Sequence, residues 1–164
     1  MPFHHLPFSH FDFVTSRLAV GAGPIDEADI GILISNGITA ICDNRDDVDD
    51  SRFLGRYEGS VKYFWNPTKD DGKHGPEKQE WIKRGVLWAL PLLGDQREVL
   101  YSHCKAGIER GPSMLYAWLR AAYGLYGDDA KLLIRLHRLR DLFGIRYADD
   151  ADAALESLGY KSDL

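Results

Sequence analysis

Only two cysteines, Cys42 and Cys104, occur in the chain. That is too few for a disulfide scaffold and suits a reducing compartment, so a cytoplasmic location is expected. No apolar run approaches the ~20 residues that cross a bilayer, and no membrane partner is expected. The opening stretch MPFHHLPFSH has neither the basic start nor the long apolar core of a secretory signal. Positive charge is also scarce. Twenty Lys and Arg stand against 25 Asp and Glu, a formal net charge of −5. A nucleic-acid binder needs a basic surface, so no nucleic-acid partner is expected. Internal repeats and low-complexity tracts are missing too, which excludes solenoids and disordered scaffolds.

What is present is ordinary globular material. Hydrophobic residues make up 45% of 164 positions and charged residues 27%. This predicts one domain over residues 1–164, with residues 1–10 as a flexible arm. His4, His5 and His10 have no acidic or Cys neighbour at ligand spacing, so neither a metal nor a cofactor is expected.

Strand and helix signals alternate. Leu18–Val20 reads as a strand running into the turn Gly21-Ala22-Gly23-Pro24. Asp26 is placed to cap a helix that carries Ile30, Leu33 and Ile34 on one face and stops at Gly37. Strands follow at Ile38–Cys42 and Val61–Trp65. Pro76 opens a helix striped by Ile82, Val86, Ala89, Leu90 and Leu93. Val99–Ser102 is a short strand. Leu115, Trp118, Leu119 and Ala122 mark a helix ending near Gly124. Another follows Asp128, with Leu132, Leu136, Leu139 and Phe143 expected inward. A last helix spans Asp150–Leu158. The alternation predicts an α/β layer fold with a largely parallel central sheet flanked by helices. Ligands in such sheets sit beyond the carboxyl ends of the strands, where loops 43–52, 66–75 and 103–110 should meet.

The most informative of these loops reads His103-Cys104-Lys105-Ala106-Gly107-Ile108-Glu109-Arg110. A short loop curling from a strand into a helix start points successive backbone N–H groups at one centre, a cradle for a phosphate dianion. Gly107 supplies the freedom that the curl demands. Arg110 adds a planar fork for two phosphoryl oxygens. The same field favours the thiolate form of a cysteine at the start of the loop. His103 is suited to bonding backbone carbonyls there.

HCKAGIER resembles the His-Cys-x-x-Gly-x-x-Arg signature of the protein tyrosine phosphatase superfamily. Length and element order from about Leu18 to Phe143 resemble its compact dual-specificity branch. The resemblance implies that a nucleophilic Cys104 takes the phosphoryl group, Arg110 holds it and an Asp on the preceding loop protonates the leaving group. By spacing from Tyr63, Asp70 matches that acid and Asp71 is the reserve. The expected partner is a phosphorylated protein carrying phosphotyrosine, with or without phosphoserine and phosphothreonine. The alternatives are a non-protein phosphomonoester such as a phosphoinositide, sugar phosphate or RNA 5′ phosphate, or a weakly active phosphate-binding module.

Four features sit less simply with this pattern. Gly111 stands where many members of that superfamily carry Ser or Thr, and Ser113 lies two residues beyond. Glu109 beside Arg110 is expected at the loop rim, turned outward. Five acids in Asp43–Asp50 would flank the site and disfavour polyanions if they faced it; an ordinary solvated loop is the other reading. Lys131, Arg135, Arg138 and Arg140 read as a solvated basic helix face. Cys42 remains open between a packed core thiol and a redox partner for Cys104.

Overall fold

The computed structural model describes residues 11–138 and 145–160. The expectations for the 1–10 arm with its histidines, and for Leu139, Arg140 and Phe143, fall outside them. Five strands, β1 (Phe11–Thr15), β2 (Leu18–Ala22), β3 (Ala40–Asp43), β4 (Lys62–Trp65) and β5 (Leu100–Cys104), form one sheet in the order β1-β2-β5-β3-β4. All pairings are parallel except β1 with β2. The expected α/β layer fold with a largely parallel sheet is therefore what the chain adopts. β1 was not anticipated. Its Phe-Asp-Phe alternation carried a signal, and Phe11 and Phe13 pack on the sheet face that holds Tyr101.

Helix α1 (Glu27–Ser35) covers one face. Asp26 caps it, accepting from the Asp29 amide at 2.9 Å, and Ile30 and Leu33 are buried. The other face carries α2 (Pro76–Leu93), α3 (Arg110–Tyr123), α4 (Gly127–His137) and α5 (Ala148–Ser157). α2 buries Ile82, Val86, Ala89 and Leu93 as its pattern predicted, with Leu90 half-buried. Trp81 and Trp118 are fully buried, and each indole N–H is satisfied, by Asn44 Oδ1 at 3.1 Å and by the Gly85 carbonyl at 3.2 Å. Burying large side chains of this kind contributes roughly 1.5–3 kcal/mol each. Gly85 faces Met114 so closely that a Cβ there would lie 2.3 Å from the thioether sulfur, which lets α2 and α3 approach. α2 has no basic residue in its last turn. Arg17, from the β1–β2 turn, supplies one by donating to the Leu93, Asp95 and Glu98 carbonyls.

Two side-chain expectations fail in the helical layer. Leu132 and Leu136 are 51% and 63% exposed. α4 instead packs through Gly127, Ala130 and Ile134, a face rotated from the leucine stripe, where the two small residues allow close approach to α3. Ala122 is also exposed, in the last turn of α3, whereas Leu115, Trp118 and Leu119 are buried.

The sheet order puts β5 in the centre. Cys104 is in register with Ala22 on one side, and His103 with Asp43 on the other. The carboxyl ends of β2, β3 and β5 thus converge, as expected for a ligand site.

Candidate active site

Residues 104–110 leave the end of β5 and enter α3, whose first residue is Arg110. The free N–H groups and dipole of the α3 N-terminus therefore point at the loop centre. Gly107 has φ +72, and a Cβ there would lie 2.3 Å from the Gly21 backbone, so both conformation and space require glycine. A pocket opens at this loop, lined by Asp70, Cys104, Lys105, Ala106, Ile108, Glu109 and Arg110.

Arg110 is almost wholly buried. Its Nη1 donates to Asp46 Oδ1 at 3.1 Å and to the Thr68 carbonyl at 2.9 Å. All three loops expected at the site therefore meet on this one side chain. Arg110 Nε is buried and has no partner. A buried charged donor without an acceptor is costly, and an anion in the pocket would relieve it.

The loop's curl is held from behind by Arg138. This residue is 1% exposed and belongs to no basic surface. Its Nε donates to the Gly107 carbonyl and its Nη2 to the Ala106 carbonyl, both at 3.1 Å, while Nη1 pairs with Asp12 at 2.8 Å. Pinning carbonyls outward leaves amides turned inward. The expectation of a solvated helix face is thus corrected for Arg138. It sits at the C-cap of α4, where its side chain leaves the helix cylinder and runs under the loop. Lys131 is half-exposed and Arg135 is exposed, as expected.

The acidic stretch 43–50 also faces inward in large part. Asp43 and Asp50 are fully buried and both bind Arg45, Asp43 at 3.2 Å and Asp50 through a short contact. Asp49 accepts from the Tyr63 hydroxyl at 2.6 Å, and Asp46 binds Arg110. Asp47 is exposed. The loop does not turn five carboxylates toward a substrate. It uses Asp43, Asp49 and Asp50 to build a network under the nucleophile loop, with Asp46 on Arg110 and Asp47 in solvent, and that weakens the argument against polyanions.

His103 belongs to the same network and is wholly buried. Its Nε2 lies 2.5 Å from Asp50 Oδ2 and its Nδ1 lies 3.2 Å from the Cys104 carbonyl. Both ring nitrogens face acceptors, which a doubly protonated ring satisfies. Burial opposes that charge, but Asp50 and Asp43 outweigh it and raise the pKa. Asp43, Asp50 and His103 are also spaced as metal ligands would be. Arg45 already supplies their counter-charge.

Asn44, not singled out from sequence, ties the site to the core. Its Nδ2 donates to the His103 carbonyl at 2.8 Å, and its Oδ1 accepts from Trp81. No local motif announces it, because its partners lie 37 and 59 residues away.

Of the two candidate acids, Asp70 lines the pocket and Asp71 does not. Asp71 pairs with the buried Lys78 at 3.0 Å and accepts from the Lys73 amide. These bonds hold its pKa down to about 2. Asp70 Oδ1 accepts from the Tyr147 hydroxyl at 2.8 Å. Its loop is anchored to α5 by the buried Asp150, which binds His74 and the Gly75 amide.

Glu109 does not turn outward. It lines the pocket beside Asp70 and forms a short pair with Arg146. Arg146 offers a cation at that edge, which partly offsets the burial and the neighbouring Asp70 that otherwise disfavour a carboxylate there. Ser113 Oγ is engaged by the Glu109 carbonyl at 2.7 Å and the Tyr147 amide at 3.1 Å. A Cβ on Gly111 would lie 3.2 Å from His103 Cα, so the helix start packs tightly on β5 at this point. Cys42 is fully buried, and its thiol contacts Asn44 Oδ1 at 3.6 Å. Burial foremost, with Asp43 and Asp50, pushes that thiol up. Cys42 and Cys104 are both free cysteines.

No family model matches the chain, and no curated protein matches it by sequence. Solved structures do. A structure of PTPMT1 in complex with PI(5)P superposes with a TM-score of 0.71 at 15% identity, covering 92% of this chain and all of that one. Human DUSP28 gives 0.71 at 16% identity, covering 93% and 97%. The active form of Tk-PTP gives 0.67 at 20% identity, covering 92% and 97%. The fold is thus that of the compact dual-specificity phosphatases, and the chemistry must be argued from the site itself.

Proposed function

We propose that the chain is a cysteine-dependent phosphatase that hydrolyses phosphomonoesters through a phosphocysteine on Cys104. The observation that carries this reading is the buried, unpartnered Arg110 Nε at the pocket that Cys104 also lines. The sulfur attacks phosphorus in line while the loop amides and Arg110 hold the equatorial oxygens. Asp70 gives its proton to the leaving oxygen as the P–O bond breaks. The Asp70 carboxylate then takes a proton from the water that attacks the phosphocysteine, and the thiolate leaves.

The proposed substrates are phosphotyrosine, phosphoserine or phosphothreonine in proteins. A second reading, a phosphoinositide or another non-protein phosphomonoester, gains support from the inward-turned acidic loop. The PI(5)P in the PTPMT1 structure supports it as well. Turnover of phosphopeptides against phosphoinositides in one assay separates the two. For the reaction itself, Cys104→Ser abolishes hydrolysis of an aryl phosphate yet still binds vanadate, because the cradle remains. Residual activity within about tenfold of the unaltered protein would remove the covalent mechanism.

A further inference from the structure

The reaction proposed above needs one proton at the leaving oxygen, and the pocket holds two carboxyl groups where one would suffice. Glu109 is bound by Arg146 Nη1, and the same nitrogen lies 3.6 Å from Asp70 Oδ1. One guanidinium nitrogen thus holds the two carboxyl groups beside each other. Both line the pocket with Cys104 and Arg110. Two carboxyl groups this close resist double ionisation, and an arriving phosphate dianion adds to that resistance. Resting on the phosphatase reading, we propose that Glu109 is the positioning and proton-storing partner of Asp70, the two carboxyl groups holding one proton between them at the mouth of the pocket.

The surrounding charges set where that proton rests. Arg146 and Tyr147, just before α5, face the pair from one side. Arg110, Lys105 and Cys104 face it from the phosphate loop. Lys78 and Asp71 are paired with each other on the acid's own loop. Burial works against an ionised Asp70, yet the hydrogen bonds from Glu109 and Tyr147, with Arg110 and Arg146, hold its pKa down. Burial and the neighbouring Asp70 push Glu109 up, despite Arg146. Of the two carboxyl groups, Glu109 is therefore the better place for the shared proton.

In the first step that proton passes from Glu109 to Asp70, and Asp70 delivers one to the leaving oxygen as the S–P bond forms and the P–O bond breaks. Both carboxylates are then ionised against Arg146. In the second step a water oxygen attacks phosphorus, the S–P bond breaks with the electron pair returning to Cys104, and the water proton restores the pair. One proton leaves and one returns.

The test is the pH profile of kcat/KM with two aryl phosphates, one a poor leaving group (phenyl phosphate) and one a good one (2,4-dinitrophenyl phosphate). Glu109→Gln keeps the shape and removes the second titrating group. With phenyl phosphate, its alkaline limb should move about one pH unit lower, roughly tenfold in rate at a fixed pH on that limb. With the dinitrophenyl ester, which needs no acid, the rate should stay within about twofold. An unmoved limb, or equal slowing of both substrates at every pH, overturns the proposal. Carbon-detected NMR gives an independent readout: the Glu109 carboxyl should titrate lower in Asp70→Asn than in the unaltered protein, and an unchanged titration overturns it. Absence of Cys104-dependent turnover in the unaltered protein would instead sink the phosphatase reading, while the NMR titration would still decide whether the pair shares a proton.

Discussion

Replacing Arg138 by Met tests whether the phosphate cradle is held from outside itself. Met keeps most of the length and apolar contact of the stem but has no donor. Three bonds are lost, to the carbonyls of Ala106 and Gly107 and to Asp12. They are not equal. Gly107 is buried, so its carbonyl is stranded, at a cost of about 1–3 kcal/mol. Ala106 is exposed and water can replace the guanidinium there, leaving a loss of about 1 kcal/mol. The Asp12 side chain is 41% exposed and rehydrates, so that pair contributes about 0–1 kcal/mol. The total is about 2–5 kcal/mol. For a chain of this size it corresponds to a fall in Tm on the order of 10 °C, read by circular dichroism. With the carbonyls released the amides lose their common aim, and vanadate inhibition should weaken roughly tenfold, equivalent to about 1.4 kcal/mol. Asp12→Asn, which leaves both carbonyl bonds, should stay within about 2 °C in Tm. If Arg138→Met melts within about 2 °C of the unaltered protein and binds vanadate within about twofold, the loop holds its own shape and the reasoning is wrong.

Three further outcomes are expected. His103 should carry protons on both ring nitrogens at neutral pH, seen by nitrogen NMR. Because its folded pKa is raised, the stability it contributes is full below the unfolded value of about 6.5 and is lost as pH rises through the folded value. Thermal unfolding should show that decline, and Asp50→Asn should flatten it; a single ring proton at pH 7 would refute the assignment. Asp70→Asn should slow phenyl phosphate hydrolysis by ~10²–10⁴ while Asp71→Asn stays within about twofold, and the opposite pattern would exchange their roles. Asp46→Ala removes one of two acceptors that fix Arg110 Nη1, so kcat/KM should drop roughly tenfold with vanadate affinity falling alongside it. A rise in vanadate affinity would instead mean that Asp46 competes with the substrate.

Local sequence was sufficient wherever a property depended on neighbours within one turn or one strand. The Asp26 cap, the α2 stripe from Ile82 to Leu93 and the strand-to-helix turn from Cys104 to Arg110 are all of this kind. The α/β alternation and the meeting of three loops beyond β5 follow from their order along the chain. Charged side chains were another matter. Arg138, Glu109 and the acids of residues 43–50 look like solvated residues in sequence, because hydropathy assigns charge to water unless a partner is known. Arg45 is a nearby partner for Asp43 and Asp50, but the others lie far along the chain: Asp12 for Arg138, Arg146 for Glu109, His103 for Asp50 and Arg110 for Asp46. Only the packed structure brings opposite charges close enough to offset desolvation, and so only it decided that these groups turn inward. The sequence by itself determined a nucleophile loop on an α/β sheet. Which charges hold that loop, and which carboxylate stands beside the acid, was decided by tertiary packing, because an ion pair between distant segments leaves no periodic trace in either one.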